Sequence, residues 1–182
     1  TQRTSTPCMA LLSGSLPDGA PKTLYRRLME SAHPECRFIL DARGSELLEC
    51  LELSPFLVKP NAEELGKTLG VSLDTRDNLI QAMHELNRMG AQWTVISQGS
   101  APLLATHAGE VHEFDPIPSP VVNPIGCGDC LAAGIATGLA EHLPPTHAIR
   151  LGMAAAADNL GQLMPARVQN ARSIYRQFCL DH

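Results

Sequence analysis

The chain has 182 residues, 44% of them hydrophobic and 18% charged, which is the size of one ordinary domain with enough apolar material for a core and excludes a disordered or fibrous protein. Nineteen acidic residues against fourteen basic ones leave a formal charge of -5, so no positive field is available to hold a polyanion and nucleic acid is not an expected partner. No apolar run reaches the roughly 20 residues needed to cross a bilayer, and residues 1–7 lack the charged-then-apolar order of a signal peptide, so the expectation is a cytoplasmic domain without a membrane segment.

In chain order, the apolar run 8–12 reads as a strand that ends at Ser13, Gly14 and Ser15, and the loop 16–21 leads into a helical pattern at Leu24, Leu28 and Met29. Residues 37–40 form a second strand stopping at Asp41, followed by a helix with Leu47, Leu48 and Leu51 on one side. A third strand covers 56–58. Lys59, Pro60 and Asn61 then turn the chain into a helix over 63–69, because the residue before proline is pushed out of the helical region. A further helix spans about 75–89 and stops at Gly90, residues 93–96 are β-rich, and 103–106 with 111–114 read as a hairpin around Ala108 and Gly109. Beyond Gly126 the pattern is almost wholly helical: 130–140, 146–160 and 168–179, with Pro144, Pro145 and Pro165 as breaks.

Short strands alternating with longer helices imply βαβ units and a mainly parallel sheet covered by helices on both faces. Ligands of such sheets gather at the carboxyl ends of the strands. The polar clusters 13–17, 41–44, 59–61, 97–99 and 123–129 all fall there.

The strongest of these is Gly126, Cys127, Gly128 and Asp129, opening a helix. Two glycines leave backbone amides unobstructed at a helix start, where orphan donors and the positive dipole end form an anion site. Asp129 in the first turn can accept a proton from a hydroxyl attacking a phosphate held there. The same residues also read as a glycine turn with an acidic residue chosen only for helix stability. Asn61 and Glu64 have the spacing of a capping box, and the same geometry presents an amide oxygen and a carboxylate suited to a water-coordinated Mg²⁺. Ser97, Gln98, Gly99 and Ser100 read as a small-residue loop that a nucleotide can approach.

Six cysteines are spread unevenly through a chain too long for a disulfide miniprotein, and reduced thiols are expected. Cys127 and Cys130 form a lone C-x-x-C at a helix start, which leaves a redox reading open. No second pair completes a zinc site. The histidines at positions 33, 84, 107, 112, 142, 147 and 182 show no metal-binding spacing.

Taken in order, Ser13-Gly14-Ser15-Leu16-Pro17, Leu40-Asp41, Lys59-Pro60-Asn61 with Glu64, Ser97 with Gly99, and Gly126-Cys127-Gly128-Asp129 resemble the PfkB, or ribokinase-like, carbohydrate kinases over nearly the whole chain. The wording is most similar to the branch acting on sugar phosphates, the phosphofructokinases and tagatose-6-phosphate kinase. The resemblance implies a ribokinase-like three-layer α/β/α fold, truncated at the N-terminus, in which residues 1–182 are the C-terminal nucleotide-binding and catalytic part. It implies transfer of the ATP γ-phosphoryl to a sugar-phosphate hydroxyl, with Asp129 as base and the amides of Gly126, Cys127 and Gly128 facing the phosphoryl group. Asn61 and Glu64 would place Mg²⁺, with Lys59 beside them or only supporting that strand end, Ser97, Gly99 and Gly128 would line ATP, and residues 153–157, beginning with Met153, would wall the adenine pocket, ordinary helix packing being an equal explanation for the alanines.

The sequence departs from the family pattern at Cys127, where alanine is usual, at Asn123-Pro124 in place of Asp-Thr, and at Pro102 in place of a glycine of the nucleotide loop. The family's G-G-x-x-x-N motif and small β lid do not occur in it. The expectation is therefore a weak or inactive isolated kinase that associates with itself or with the missing segment, the alternative being a noncatalytic remnant that binds nucleotide or a partner chain.

Overall fold

The computed structural model describes residues 8–179; the expectations for residues 1–7, for the Cys179 side chain and for His182 lie outside it. Strands β1 (Met9–Ser13), β2 (Arg37–Asp41), β3 (Leu57–Val58) and β4 (Trp93–Gln98) pair in parallel, each with the next. Helices α1 (Leu24–Ser31), α2 (Gly44–Leu51), α3 (Ala62–Leu69) and α4 (Arg76–Arg88) make the crossovers. Each crossover steps one strand along in the same direction, and right-handed connections of that kind set successive helices side by side. Accordingly α1 contacts α2, α2 contacts α3 and α3 contacts α4.

The sheet continues in the order β1-β2-β3-β4-β5-β6, with β5 (Ala101–His107) and β6 (Glu110–Phe114) closing it. The expected small-residue loop at 97–100 is shorter than its composition suggests. Ser97 and Gln98 belong to β4, so only Gly99 and Ser100 form the turn into β5, a connection that only antiparallel neighbours allow. Gly99 takes φ +65° there, and Gln98 Nε2 donates to Pro102 O at 2.6 Å, so Pro102 is accommodated within the strand.

Two compact units are distinguished, one made of residues up to 94 with 106–110, the other of 95–105 with 111 onward. In the first, Ile39, Leu40, Leu47, Leu51, Leu57, Leu65, Met83 and Leu86 are fully buried. This explains why β2 and β3 read as unbroken apolar runs rather than alternating ones.

The second unit is built on α5 (Cys127–Ala140), α6 (Pro145–Leu160) and α7 (Ala171–Cys179). Helix α5 begins at Cys127, earlier than the apolar periodicity from Cys130 indicates, so the glycine-rich motif is itself the first turn. Helices α5 and α6 approach closely through glycine. A Cβ on Gly134 would stand 2.6 Å from Gly152 Cα, and one on Gly152 would stand 2.5 Å from Leu131 O and 2.7 Å from Ile135 Cγ1. Several of the alanines expected to wall a base pocket also take part in helix packing. Ala154, Ala155 and Ala157 are buried, Ala154 beside Leu151 and Tyr175 and Ala155 beside Cys130 and Ala171, while Met153 is half-buried.

Gly152→Ala is expected to destabilise the fold by about 1–3 kcal/mol, the usual cost of forcing atoms into a filled contact. Gly161→Ala, whose nearest neighbour would be an ordinary contact at 3.6 Å, is expected to leave the urea midpoint nearly unchanged. Equal midpoints for the two variants would show that the α5–α6 contact does not require glycine.

Candidate active site

The register of the parallel strands places their carboxyl ends level with one another. Ser13 pairs with Asp41, and Lys59 follows Val58, the partner of Leu40, so Ser13, Asp41 and Lys59 form a row. Ser13 Oγ donates to Asp41 Oδ2 at 3.4 Å, and Lys59 Nζ lies 3.0 Å from Asp41 Oδ1. Lys59 is only 4% exposed. Its ammonium is paired with the carboxylate of the neighbouring strand and so braces the two strand ends. Tyr25 Oη fixes the turn after β1 by donating to the carbonyls of Ser13 and Gly14 at 3.0 and 2.9 Å. Burial, reinforced by Asp41, Cys50 and Glu46, raises its pKa and keeps it a phenol.

At the start of α3 both halves of the capping box are present. Asn61 Oδ1 accepts from the Glu64 amide at 2.8 Å and Glu64 Oε2 accepts from the Asn61 amide at 3.0 Å. Arg43, which sequence reasoning missed, donates to Glu64 Oε1 at 3.4 Å and to Ser15 Oγ at 3.1 Å. Nothing in its residue type marks it; only its place two residues beyond the end of β2 does.

In the second unit, Gly126 is the N-cap of α5 at φ +81°, a left-handed conformation natural to glycine. A Cβ there would also stand 3.2 Å from Ala166 N, a tight contact that adds to the conformational preference for glycine. No side chain caps the helix. The Cys127 amide turns back to Pro124 O at 3.3 Å. Gly128 and Asp129 are exposed in the first turn, where the dipole favours an anion. Asp129 opens on a cleft of about 600 Å³ whose lining includes Ala133, Thr137, Asn170 and Arg172.

The loop before Gly126 is laced to the end of α6. The amides of Val122 and Asn123 donate to Leu160 O at 2.9 and 3.1 Å, satisfying a carbonyl that a helix end leaves without a helical partner, and Ser119 Oγ adds a second donor to Ala157 O at 2.7 Å. Asn159, fully buried, donates from Nδ2 to Ile125 O at 2.9 Å and lies 3.2 Å from Cys127 Sγ. The Asn123 side chain accepts from the Ile125 amide and donates to Leu163 O, so it is engaged in holding the loops. Asn159 too escaped the sequence reading. Its only signal is an amide placed at an apolar position in an alanine-rich helix.

Asp158 organises the segment beyond α6, accepting from the amides of Gln169 and Asn170 and from the side chains of Gln162 and Asn170. This is why α7 begins at Ala171, later than the pattern from Val168 suggests. The loops held in this way carry Val121, Val122, Ile125, Leu163 and Met164, each more than half exposed.

The C-x-x-C pair is asymmetric. Cys130 is buried, and burial, then Cys127, Asp129 and Asp158, raise its pKa, which disfavours the thiolate that redox chemistry needs. No group of three or more His, Cys, Asp or Glu residues suited to a metal occurs among the described residues. No helix among them is long and apolar enough to cross a membrane.

Residues 8–164 match the model of the pfkB family carbohydrate kinases. The 1-phosphofructokinase of Bacillus subtilis (strain 168) is 33% identical over 148 residues, covering 80% of this chain and 48% of that protein, so the chain spans about half the length of this curated relative. Phosphofructokinase-2 from Escherichia coli, solved in complex with potassium, superposes with a TM-score of 0.86 at 25% identity over 95% of this chain and 58% of its own. Ribokinase from Arabidopsis thaliana, complexed with ribose and ATP, shares the fold with a TM-score of 0.79 at 21% identity, over 94% of this chain and 56% of its own. The ribokinase-like α/β fold is thus shown.

The Asp158 cluster makes a testable contribution to stability. Burial opposes its ionisation, but the Asn170 and Gln169 amides and the two side-chain donors outweigh it, so its pKa lies below the usual 3.8. A depressed carboxyl stabilises the fold above its unfolded pKa and loses that contribution as pH falls through the folded one. Asp158→Asn is expected to cost about 1–3 kcal/mol at pH 7. In thermal melts across pH, the gap from wild type should narrow below the usual carboxyl value; a gap constant down to pH 2 would contradict this assignment.

Proposed function

The chain belongs to the pfkB family of carbohydrate kinases, and from that membership we propose that it is the nucleotide-binding and phosphotransfer part of a kinase acting on a phosphorylated sugar, with ATP as donor. One observation carries the reading: Asp129 stands exposed in the first turn of a helix whose amides no side chain caps.

In this reading Asp129 accepts the proton of the attacking sugar hydroxyl as the oxygen bonds to the γ-phosphorus and ADP departs. The amides of Gly126 and Gly128 donate to the oxygens of the phosphoryl group in transit. They are fixed before the reaction and need no reorganisation during it. The Cys127 amide contributes less because Pro124 O already engages it. Ser97 and Gly99 lie at the end of β4 and the turn after it, where a nucleotide can pass close to backbone. The exposed apolar side chains of Val121, Val122, Ile125, Leu163 and Met164 offer the purine a further apolar surface beside the one expected of residues 153–157.

The residues expected to serve Mg²⁺ fit it only through water. Both Glu64 carboxylate oxygens and the Asn61 amide oxygen already accept hydrogen bonds within the protein, which suits them to receive from metal-bound water and not to enclose a bare ion. When bound, Mg²⁺ supplies charge neutralisation on the phosphates. Lys59 supports this strand end through Asp41. The acceptor class rests on the likeness to the 1-phosphofructokinase, with which the chain shares 33% identity.

A coupled ADP-release assay with fructose 6-phosphate, fructose 1-phosphate and tagatose 6-phosphate, paired with calorimetric titration of Mg·ATP, tests the proposal. Asp129→Asn is expected to lower turnover by about 10²–10⁴-fold, the usual contribution of a general base, while Mg·ATP affinity changes less than about twofold. Equal turnover in both proteins would remove Asp129 from the chemistry. Mg·ATP binding with no turnover in either would indicate a nucleotide-binding remnant.

A further inference from the structure

The two thiols nearest the start of the sheet are unrelated to the phosphotransfer chemistry and form a site of their own. Met9 pairs with Arg37 in the parallel β1–β2 ladder, and the Arg37 amide donates to Cys8 O at 2.7 Å, so the pairing extends one residue back and sets Cys8 level with Cys36. Residues level in neighbouring parallel strands project to the same face. Their Cα atoms are spaced by about 4.8 Å, inside the roughly 4.4–6.8 Å range that a disulfide spans. The register sets the two side chains next to one another, and the Cys8 thiol is among the groups that raise the Cys36 pKa. Cys8 is exposed and Cys36 half-buried, so an oxidant reaches the first and the second stands behind it.

From this geometry we infer that Cys8 and Cys36 are a dithiol modification site, converted to a cross-strand disulfide by low-molecular-weight disulfides of the oxidised glutathione class. In the first step the Cys8 thiolate attacks one sulfur of the oxidant, forming a mixed disulfide and expelling one glutathione thiolate. Cys36 then gives up its proton and attacks the Cys8 sulfur, breaking the mixed disulfide and expelling the second glutathione thiolate. Two glutathione thiols leave carrying the two protons from the cysteines. The protein has lost two electrons and the oxidant has gained them.

Burial, with the Cys8 thiol beside it, pushes the Cys36 thiol up to about 11, so Cys8 makes the first attack and the resolving attack by the scarce Cys36 thiolate is the slow step. The other candidate thiols are less suited. Cys50 is wholly buried and its thiol is pushed to about 11 by that burial. Cys127 Sγ is held between Asn159 Nδ2 and Ala156 O, and Cys130 is buried. The new bond closes a loop around α1 and ties the first residues of β1 to β2, at the end of the strands away from Ser13 and Asp41.

The test incubates the full chain with oxidised glutathione, blocks remaining thiols by alkylation and maps peptides by mass spectrometry without reduction. The expected product is a Cys8–Cys36 linked peptide lacking two hydrogens, with a melting temperature several degrees above that of the reduced protein because a long loop is closed in the unfolded chain. Cys36→Ser is expected to stop at the Cys8–glutathione adduct, and Cys36→Ala serves the same purpose should the serine variant fold poorly. Wild type that also stops at the adduct, links Cys127 to Cys130 in its place, or shows no reaction overturns the inference.

Discussion

The candidate phosphate corner depends on one mutual satisfaction of backbone groups. The last turn of α6 ends with carbonyls that have no acceptor role left inside the helix, and the loop leading to α5 arrives with donors that need acceptors. Ser119, Val122 and Asn123 give hydrogen bonds to Ala157 and Leu160, while buried Asn159 reaches back to Ile125. With the loop pinned on both sides, Gly126 takes its left-handed conformation and α5 begins without a side-chain cap. The uncapped helix start is therefore a product of contacts made by residues that carry no chemistry themselves.

The first unit solves a similar problem by register. Parallel strands of matched end-point bring Ser13, Asp41 and Lys59 into line, and the buried Lys59–Asp41 pair joins two strand ends that would otherwise be free to fray. Removing either partner from such a pair is costlier than never having built it, since the charge left behind stays buried. The capping box of Asn61 and Glu64 follows immediately, so its orientation is inherited from the same row.

Much of this was legible in the sequence because it rests on local rules. Alternating apolar runs and helical periodicities gave the βαβ order, the N-x-x-E spacing gave the capping box, and paired glycines before an aspartate marked the helix start. What escaped depends on contacts distant in sequence. Arg43 matters through its reach to Ser15 and Glu64, and Asn159 through its hold on a loop some thirty residues earlier. For 153–157 the family resemblance implies a wall of the adenine pocket while ordinary helix packing explains the alanines equally well, and in the folded chain Ala154, Ala155 and Ala157 are buried while Met153 is half-buried. The loop at 97–100 was misjudged in extent because glycine and serine report a turn without reporting how tight it is.

The contact between Gly134 and Gly152 has a consequence for how the protein tolerates change. Because the backbones of α5 and α6 bear directly on one another, a single methyl group wedged there cannot be absorbed by a side-chain movement and forces the two helices to shift apart. Amides a turn or two away are displaced although no atom near them has been altered. Drift at this contact would therefore register as a loss of aim, and a survey of variants that judged importance by nearness to Asp129 would overlook it.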